Sequence, residues 1–508
     1  MLNSLAAKCL FAIIAGALMV LAFAPFDLFP FILLGPAILF WLLNQLQSSR
    51  QAALIGWGFG FGLFGTGVSW VWVSIHVYGG ASVLIATLAT LMFVASLGLL
   101  FSAQAWIFYR FFIDKPNSWL AFIAIWMGFE WLRSWFLTGF PWLLTGYAWL
   151  DTPFSPLGSL MGVWGLSLLT LCLSIGMFEA AKKRAFVPLF VAVMLPLIAL
   201  LTPNNWTETV PDSELSVALV QPNISQHDKW DRRLLAPMLQ HLISLSQPYQ
   251  DHDLIVWPET AIPSLYYQAA PYTEPFFNRL ENQQTSLISG FPYMTSDSKN
   301  PELNRFHNSL GIFSYGQGVY HKQRLVPFGE YVPLEAQLRG LIDFFDLPMS
   351  EFSLPEHTEL TLDVKGRKIA PLICYEIAYP ELTRRSSQMA DMILTVSNDA
   401  WFDDSLAAEQ HLQIARMRAI ENGRWLLRGT NDGITALVSP NGDIVDRLSR
   451  EQAGVLSVKV PSMQGQTPYQ RLSLWPAMLF SLLLLGLSYL DLTTRSRHLA
   501  KVSGGVQK

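Results

Sequence analysis

Three segments of the chain place reactive side chains directly after apolar runs. Leu254-Ile255-Val256-Trp257-Pro258-Glu259-Thr260 delivers a carboxylate behind a short apolar run and a proline. Tyr320-His321-Lys322-Gln323-Arg324-Leu325-Val326-Pro327-Phe328-Gly329-Glu330 sets an ammonium beside an apolar stretch that ends in a second carboxylate. Ile369-Ala370-Pro371-Leu372-Ile373-Cys374-Tyr375-Glu376 ends an apolar run in a cysteine followed by a polar turn. Singly, each has an ordinary explanation: a small core hydrophobe, a turn residue, a solvated surface lysine. Together they make a chemical set. A thiol becomes a nucleophile when a neighbouring base removes its proton, and a carboxylate can be that base. An ammonium favours the thiolate and stabilises an oxyanion. Glu259, Lys322 and Cys374 therefore suit acyl transfer through a thioester.

Short runs rich in Val, Ile and Leu, bounded by Pro, Gly, Asn or Asp, predict strands at Leu215–Val220, Asp253–Trp257, Ser286–Gly290, His307–Ser314, Ile369–Cys374, Met392–Val396, Trp425–Arg428 and Thr435–Val438. Helical spacing of apolar residues predicts helices over Arg232–Ser246 and Ala407–Asn422. Apolar strands separated by helices point to an α/β architecture with covered sheets. The turn Ser439-Pro440-Asn441-Gly442 suggests a hairpin. Each candidate side chain then sits at the end of a strand.

This soluble-looking region occupies only part of the 508 residues. The whole chain is 51% hydrophobic and 14% charged, well below the roughly 25% charge of soluble domains. That excludes a disordered chain, and a net charge of −4 lacks the basic footprint of a nucleic-acid binder. Three cysteines cannot build a disulfide framework, and no histidine set has metal-ligand spacing. Apolar runs long enough to cross a bilayer are read near 9–25, 28–45, 53–75, 82–111, 119–136, 157–179, 185–202 and 472–491. The predicted organisation is an α-helical polytopic membrane domain over 1–210, an α/β domain over 211–469, and a last span with a polar tail over 470–508. The first run, with Lys8 and Ala22-Phe23-Ala24, is read as a retained anchor because Pro25 is a poor cleavage context.

Charge orients these spans. Lys8, Arg50, Arg110, Lys115, the cluster Lys182-Lys183-Arg184 and Arg495, Arg497 and Lys501 all fall on one side, which the positive-inside rule makes cytoplasmic. The region Pro211–Tyr469 then faces the periplasm. Glu130 and Arg133, three residues apart near the outer end of the fifth span, are placed to pair on one helix face. The alternative for them is contact with lipid headgroups or with the outer domain.

The set Trp257-Pro258-Glu259-Thr260, Lys322 and Ile373-Cys374-Tyr375-Glu376 resembles the nitrilase (carbon–nitrogen hydrolase) superfamily. Its placement between membrane spans is similar to the apolipoprotein N-acyltransferases of bacterial inner membranes. Further matching stretches are Gly139-Phe140-Pro141-Trp142, Leu325 to Pro333, Asn398-Asp399-Ala400-Trp401-Phe402 and Gln410 to Arg416. The resemblance implies a four-layer α-β-β-α sandwich on a membrane base, with no cofactor and no metal. It implies Cys374 as nucleophile, Glu259 as general base and Lys322 as stabiliser of the tetrahedral intermediate. Glu330, Tyr375 and Glu376 match supporting positions that hold Lys322 and shape the pocket, and Trp230 matches a mobile-loop tryptophan at the substrate entrance. The implied partners are a phospholipid acyl donor, typically phosphatidylethanolamine, and a diacylated apolipoprotein acceptor. Two departures are Pro222 where a glycine is usual and the stretch Asp403 to Glu409, which lacks the usual Gly and Pro.

Two other function classes compete. A membrane-anchored nitrilase-like amidase would use the same three residues with water as the attacking group. A transporter with an outer binding domain would show internal symmetry and broken helices, and the sequence has no such repeat. The charge pattern yields a direct prediction: protease added to the periplasmic side of spheroplasts cleaves within Pro211–Tyr469. Cleavage only from the cytoplasmic side would reverse the topology.

Overall fold

The computed structural model describes residues 4–183, 205–296, 304–331 and 351–490. The run at 185–202 and the tail after 490 lie outside them. Six helices, Leu5–Met19, Pro30–Leu43, Ser49–Gly67, Val83–Phe112, Ser118–Arg133 and Gly158–Lys183, fall on the first six apolar runs. Leu5–Ala22, Val83–Phe112 and Ser155–Lys182 are long and apolar enough to cross a bilayer. A fourth crossing is available if Ser49–Gly67 and Val71–Tyr78, bent by 62°, count as one. The sequence reading of about eight spans goes beyond this. Apolar runs ignore where a helix breaks, and Pro30–Leu43, with 14 residues, reaches only about 21 Å at 1.5 Å per residue. The helices Leu5–Met19 and Ser49–Gly67 approach to backbone contact. A Cβ on Gly62 would lie 2.0 Å from the carbonyl oxygen of Ile13, so only glycine permits this packing.

The strands, in chain order, are β1 (Thr207–Thr209), β2 (Leu215–Gln221), β3 (Leu254–Val256), β4 (Ser286–Ser296), β5 (Asn304–Ser314), β6 (Val319–His321), β7 (Leu362–Val364), β8 (Arg367–Ile373), β9 (Met392–Ser397), β10 (Leu426–Thr430), β11 (Ala436–Val438), β12 (Ile444–Arg447), β13 (Gly454–Val460) and β14 (Met463–Gly465). One six-stranded sheet has the order β13-β2-β3-β4-β5-β6 and a second has β12-β11-β10-β9-β8-β7. Strands β2, β3 and β4 run parallel at the centre of the first, as do β8, β9 and β10 in the second. A small ribbon of β1 and β14 joins the two ends of the domain.

Side-chain alternation assigns each face. Leu254 and Val256 point into a core between the sheets with Leu219, Ile288, Ile373, Leu394 and Leu427. Ile255 and Trp257 point outward, against the helices Leu235–Ser246 and Tyr266–Asn282. On the far side Ala370, Leu372 and Ile393 pack under Leu382, Leu412 and Met417, and this core runs without a break into Trp126, Trp142 and Trp164 of the helical part. The layer order is helix, sheet, sheet, helix, as the resemblance implied, and the outermost helical layer is also the seam with the N-terminal helices.

The helix Ala407–Asn422 forms most of that seam, and nearly every residue along it is buried. Gln410 Oε1 accepts from the indoles of Trp142 (2.7 Å) and Trp70 (3.2 Å). Arg416 pairs with Asp151 at 2.7 Å, and Glu421 accepts from the Val163 amide at 2.7 Å. Arg418 and Glu421, both fully buried, pair at 3.0 Å, and Arg418 also donates to the Tyr147 hydroxyl at 3.2 Å. Breaking a buried pair strands a charge in a medium that solvates it poorly. Arg418→Leu is expected to lower stability by about 3 kcal/mol, read from thermal unfolding in detergent. The double variant Arg418→Leu/Glu421→Leu should cost less than Arg418→Leu alone.

Candidate active site

Glu259, Lys322 and Cys374 each follow the end of a strand, β3, β6 and β8, in two sheets that face each other. The Glu259–Thr260 turn is fitted tightly over β4. Thr260 has a φ of +48°, and a Cβ on Gly290 would meet the Thr260 amide nitrogen at 2.3 Å. Cys374 has a φ of +52°, unusual for a residue with a Cβ. It closes β8 and opens the short helical turn Cys374–Ala378, which lifts the thiol out of the strand. The residue as a whole stays partly exposed, while its thiol group is buried.

The charged groups interlock. Lys322 Nζ lies 2.8 Å from Glu330 Oε1 and 3.4 Å from Glu259 Oε1. The Asn308 amide donates to both carboxylates, at 2.9 Å to Glu259 and 2.8 Å to Glu330. The remaining oxygens accept backbone amides: Glu259 Oε2 from Asn398 at 3.0 Å, Glu330 Oε2 from Val326 at 2.8 Å. Burial by itself would lower the Lys322 ammonium, but Glu330 and then Glu259 outweigh it and hold it charged above its usual range. The Cys374 thiol is pushed well above its ordinary value by burial and by the Glu259 charge, with Lys322 opposing. At neutral pH it is a thiol, so attack on a carbonyl requires a proton acceptor beside it. Glu259 is the adjacent carboxylate that the thiol feels most strongly.

The expected supporting residues divide by task. Glu330 binds Lys322 directly. Glu376 holds the backbone around it, accepting from the amides of Gln323 (2.6 Å), Arg324 (3.2 Å) and Ile373 (2.8 Å) and from the Tyr320 hydroxyl (2.9 Å). It thereby joins the residues after Lys322 to the one before Cys374, and burial lifts its carboxyl to about 7. Tyr375 does something other than hold Lys322: its hydroxyl donates to the Gly139 carbonyl, 2.9 Å away in the N-terminal helical part. Trp230 packs in a small apolar cluster with Leu325, Phe352, Phe306, Tyr331 and Trp401.

Four residues join the site that sequence spacing did not single out for it. Asn308 lies inside β5, where an amide looks like one more alternating polar residue. Lys229 is buried and donates to the Glu259 carbonyl at 3.0 Å; burial lowers its ammonium to about 8. Asn398 was legible only as part of a matching stretch. His411 Nε2 lies 3.1 Å from the Cys374 carbonyl, while its Nδ1 faces Arg428 Nη2 at 3.2 Å and Asp399 Oδ1 at 3.3 Å. Burial and the Arg428 charge keep the imidazole neutral, which suits an Nε2–H that donates to the Cys374 carbonyl.

Family comparisons agree with this geometry. Residues 15–176 match the model of the apolipoprotein N-acyltransferase N-terminal domain, and residues 216–469 match that of the carbon-nitrogen hydrolase family. An apolipoprotein N-acyltransferase of Pseudomonas syringae pv. tomato is 42% identical over 486 residues, covering 94% of this chain and 95% of the relative. This chain belongs to the apolipoprotein N-acyltransferase family. The Pseudomonas aeruginosa member is 43% identical over 482 residues, covering 92% of each chain, and the Coxiella burnetii member 39% over 490, covering 94% of this chain and 99% of the relative. Like other apolipoprotein N-acyltransferases, the chain is an acyltransferase enzyme with a nitrilase-like α/β domain, and its apolar helices make it a membrane protein.

The carboxylate cluster yields a prediction within this family. Asn308→Leu removes the donor shared by Glu259 and Glu330 and leaves both buried oxygens short of a partner, a loss of about 1–3 kcal/mol. Acyl transfer should fall roughly tenfold to a hundredfold with a folded domain by circular dichroism.

Proposed function

We propose that the chain completes lipoprotein maturation by moving a fatty acyl group from a phospholipid, typically phosphatidylethanolamine, to the free α-amine of the diacylglyceryl-cysteine that begins an apolipoprotein. The steps are ping-pong. Glu259 takes the proton of the Cys374 thiol as sulfur attacks the donor ester. Lys322 stabilises the oxyanion, and the protonated Glu259 returns its proton to the departing lysophospholipid alkoxide. The acceptor amine then attacks the thioester, Glu259 takes its proton, and the Cys374 thiol is regenerated. Trp230 serves as the mobile element at the entrance. Glu330 and Glu376 hold Lys322, and Tyr375 shapes the pocket.

The observation that carries this reading is the closed set of hydrogen bonds among Glu259, Lys322, Glu330 and Asn308, next to a thiol on a left-handed turn. The thiol needs a base, and Glu259, the carboxylate it feels most strongly, already has its second oxygen fixed by the Asn398 amide. The strand that ends in Cys374 also lies in the sheet that rests on the membrane helices. A lipid gains roughly 0.8 kcal/mol per buried CH₂, so catalysis that comes to the interface avoids extracting it. In the full proposal the chain is a multi-pass protein of the bacterial inner membrane with about eight spans. Its domains are 1–210, 211–469 and 470–508, and the catalytic one is periplasmic.

The test is to incubate the purified protein with phosphatidylethanolamine in detergent and measure the mass of the peptide containing Cys374. The expected result is a hydroxylamine-sensitive fatty-acyl adduct, absent in Cys374→Ala and slowed by about 10²–10⁴-fold in Glu259→Gln. Folded protein that forms no adduct but cleaves small amides would support a membrane-anchored amidase instead.

A further inference from the structure

Glu130 and Arg133 are charged side chains at the end of the apolar helix Ser118–Arg133, and both are buried. They do not bond to each other. Arg133 sends its guanidinium to backbone carbonyls of the following loop, those of Trp142, Phe140 (3.4 Å) and Leu143 (3.4 Å), and lies over the Phe64 ring at 5.2 Å. Glu130 Oε1 accepts from the Thr145 amide at 3.0 Å, the Thr145 hydroxyl at 2.9 Å and the Trp126 indole at 3.2 Å. A carboxylate and a guanidinium placed this deep cost several kcal/mol each unless something is fixed in return. What they fix is one loop, Phe140 to Thr145.

That loop reaches the nucleophile from two sides. Just before it, Leu137, Thr138 and Gly139 have φ values of +49°, +76° and +88°, a run of left-handed conformations that needs outside support. The support comes from two tyrosines. The Tyr375 and Tyr379 hydroxyls donate to the Gly139 carbonyl at 2.9 and 3.2 Å, and Tyr379 also reaches the Thr138 carbonyl at 3.0 Å. Tyr375 is the residue after Cys374, and it also feels the Arg133 charge. From the other side, Trp142 within the loop packs on the His411 ring at 5.7 Å, and His411 bonds the Cys374 carbonyl. The loop and the turn that leads into it therefore touch the residue that holds the nucleophile's carbonyl and the residue that follows the nucleophile.

We propose that Glu130 and Arg133 are positioning residues for Cys374: from the membrane helix they set the loop Phe140–Thr145 and with it the preceding Thr138–Gly139 turn, which together hold the left-handed turn of the nucleophile through Tyr375 and His411. The inference rests on the reading of Cys374 as nucleophile. It makes the membrane helices part of the catalytic geometry, so the α/β domain without them would carry an intact Glu259–Lys322–Glu330 cluster and a misplaced thiol.

The experiment uses the full chain in detergent with two readouts at Cys374: the single-turnover rate of acyl-adduct formation from phosphatidylethanolamine, and the alkylation rate by iodoacetamide. Arg133→Gln is expected to slow acylation at least tenfold at saturating lipid, with the half-saturating lipid concentration changed less than twofold and alkylation slowed at least threefold. Arg133→Lys, which can still donate to a carbonyl, should recover a measurable part of both rates. Tyr375→Phe should slow acylation as well, and adding Arg133→Gln to it should produce much less than the product of the two single effects, because both act through one loop. Wild-type rates in a folded Arg133→Gln, or fully multiplicative effects in the double variant, would overturn the inference. If Arg133→Gln does not fold, Glu130→Gln with Tyr375→Phe completes the same cycle. Should wild-type protein form no adduct, the acyltransfer reading fails by itself; alkylation then decides the positioning role, and an unchanged or faster rate in Arg133→Gln would overturn it.

Discussion

A carboxylate removed from water has to recover its hydrogen bonds from the protein, and the rest of this site follows from how Glu259 and Glu330 do so. Each has one oxygen on Lys322 and Asn308 and the other on a backbone amide. The amides come from different places, Asn398 after β9 and Val326 in the loop after β6. Satisfying two buried acids thus fixes the relative position of the two sheets. Glu376 repeats the device from the opposite sheet, gathering three amides and a phenol. Polar networks of this kind are costly when partly satisfied and rigid when complete. Here the carboxylate oxygens find their partners only with β5, β6, β8 and β9 correctly placed around them.

The second organising constraint is a change of solvent along one chain. The outer layer of an α-β-β-α sandwich ordinarily faces water with one side of its helices. In this molecule Ala407–Asn422 has no water-facing side, and its polar residues are spent on partners in the helical part: Gln410 on two indoles, Arg416 on Asp151, Glu421 on a backbone amide. Because the same helix carries His411, the contact between the two parts and the support of Cys374 are one structure.

Much of this was legible in the sequence where local pattern and tertiary role coincide. Ala407–Asn422 was readable because its apolar residues recur at helical spacing, and the parallel strands because residues buried on both faces leave unbroken apolar runs. Glu259, Lys322 and Cys374 stood out because they end such runs. Tyr266–Asn282 was not readable, since Pro271 and Pro275 inside it argue locally against a helix that packing on Trp257 enforces. Three-residue strands such as β6 and β7 are too short to show alternation, and β13 is half exposed at a sheet edge. In the site, Asn308 and Lys229 escaped notice because their meaning lies in partners distant in sequence. Glu130 and Arg133 were read as a pair from their spacing; their real partners are mostly carbonyls and amides, which every residue has and no sequence displays.

Lys229 carries one more consequence. Around the thiol stand Glu259 and Glu330 as anions and Lys322 and Lys229 as cations, with Asp399 matched by Arg428 behind them. The two ammonium groups oppose the two carboxylates, and Asp432 also acts on Lys229. A proton passing from Cys374 to Glu259 exchanges one anion for another and leaves the net charge of the pocket unchanged. The field outside the pocket hardly alters, so the surrounding dipoles have little to rearrange when the reaction begins. Without the second lysine one positive charge fewer would oppose these carboxylates, and the pocket would resist more strongly both the thiolate and the oxyanion that follows.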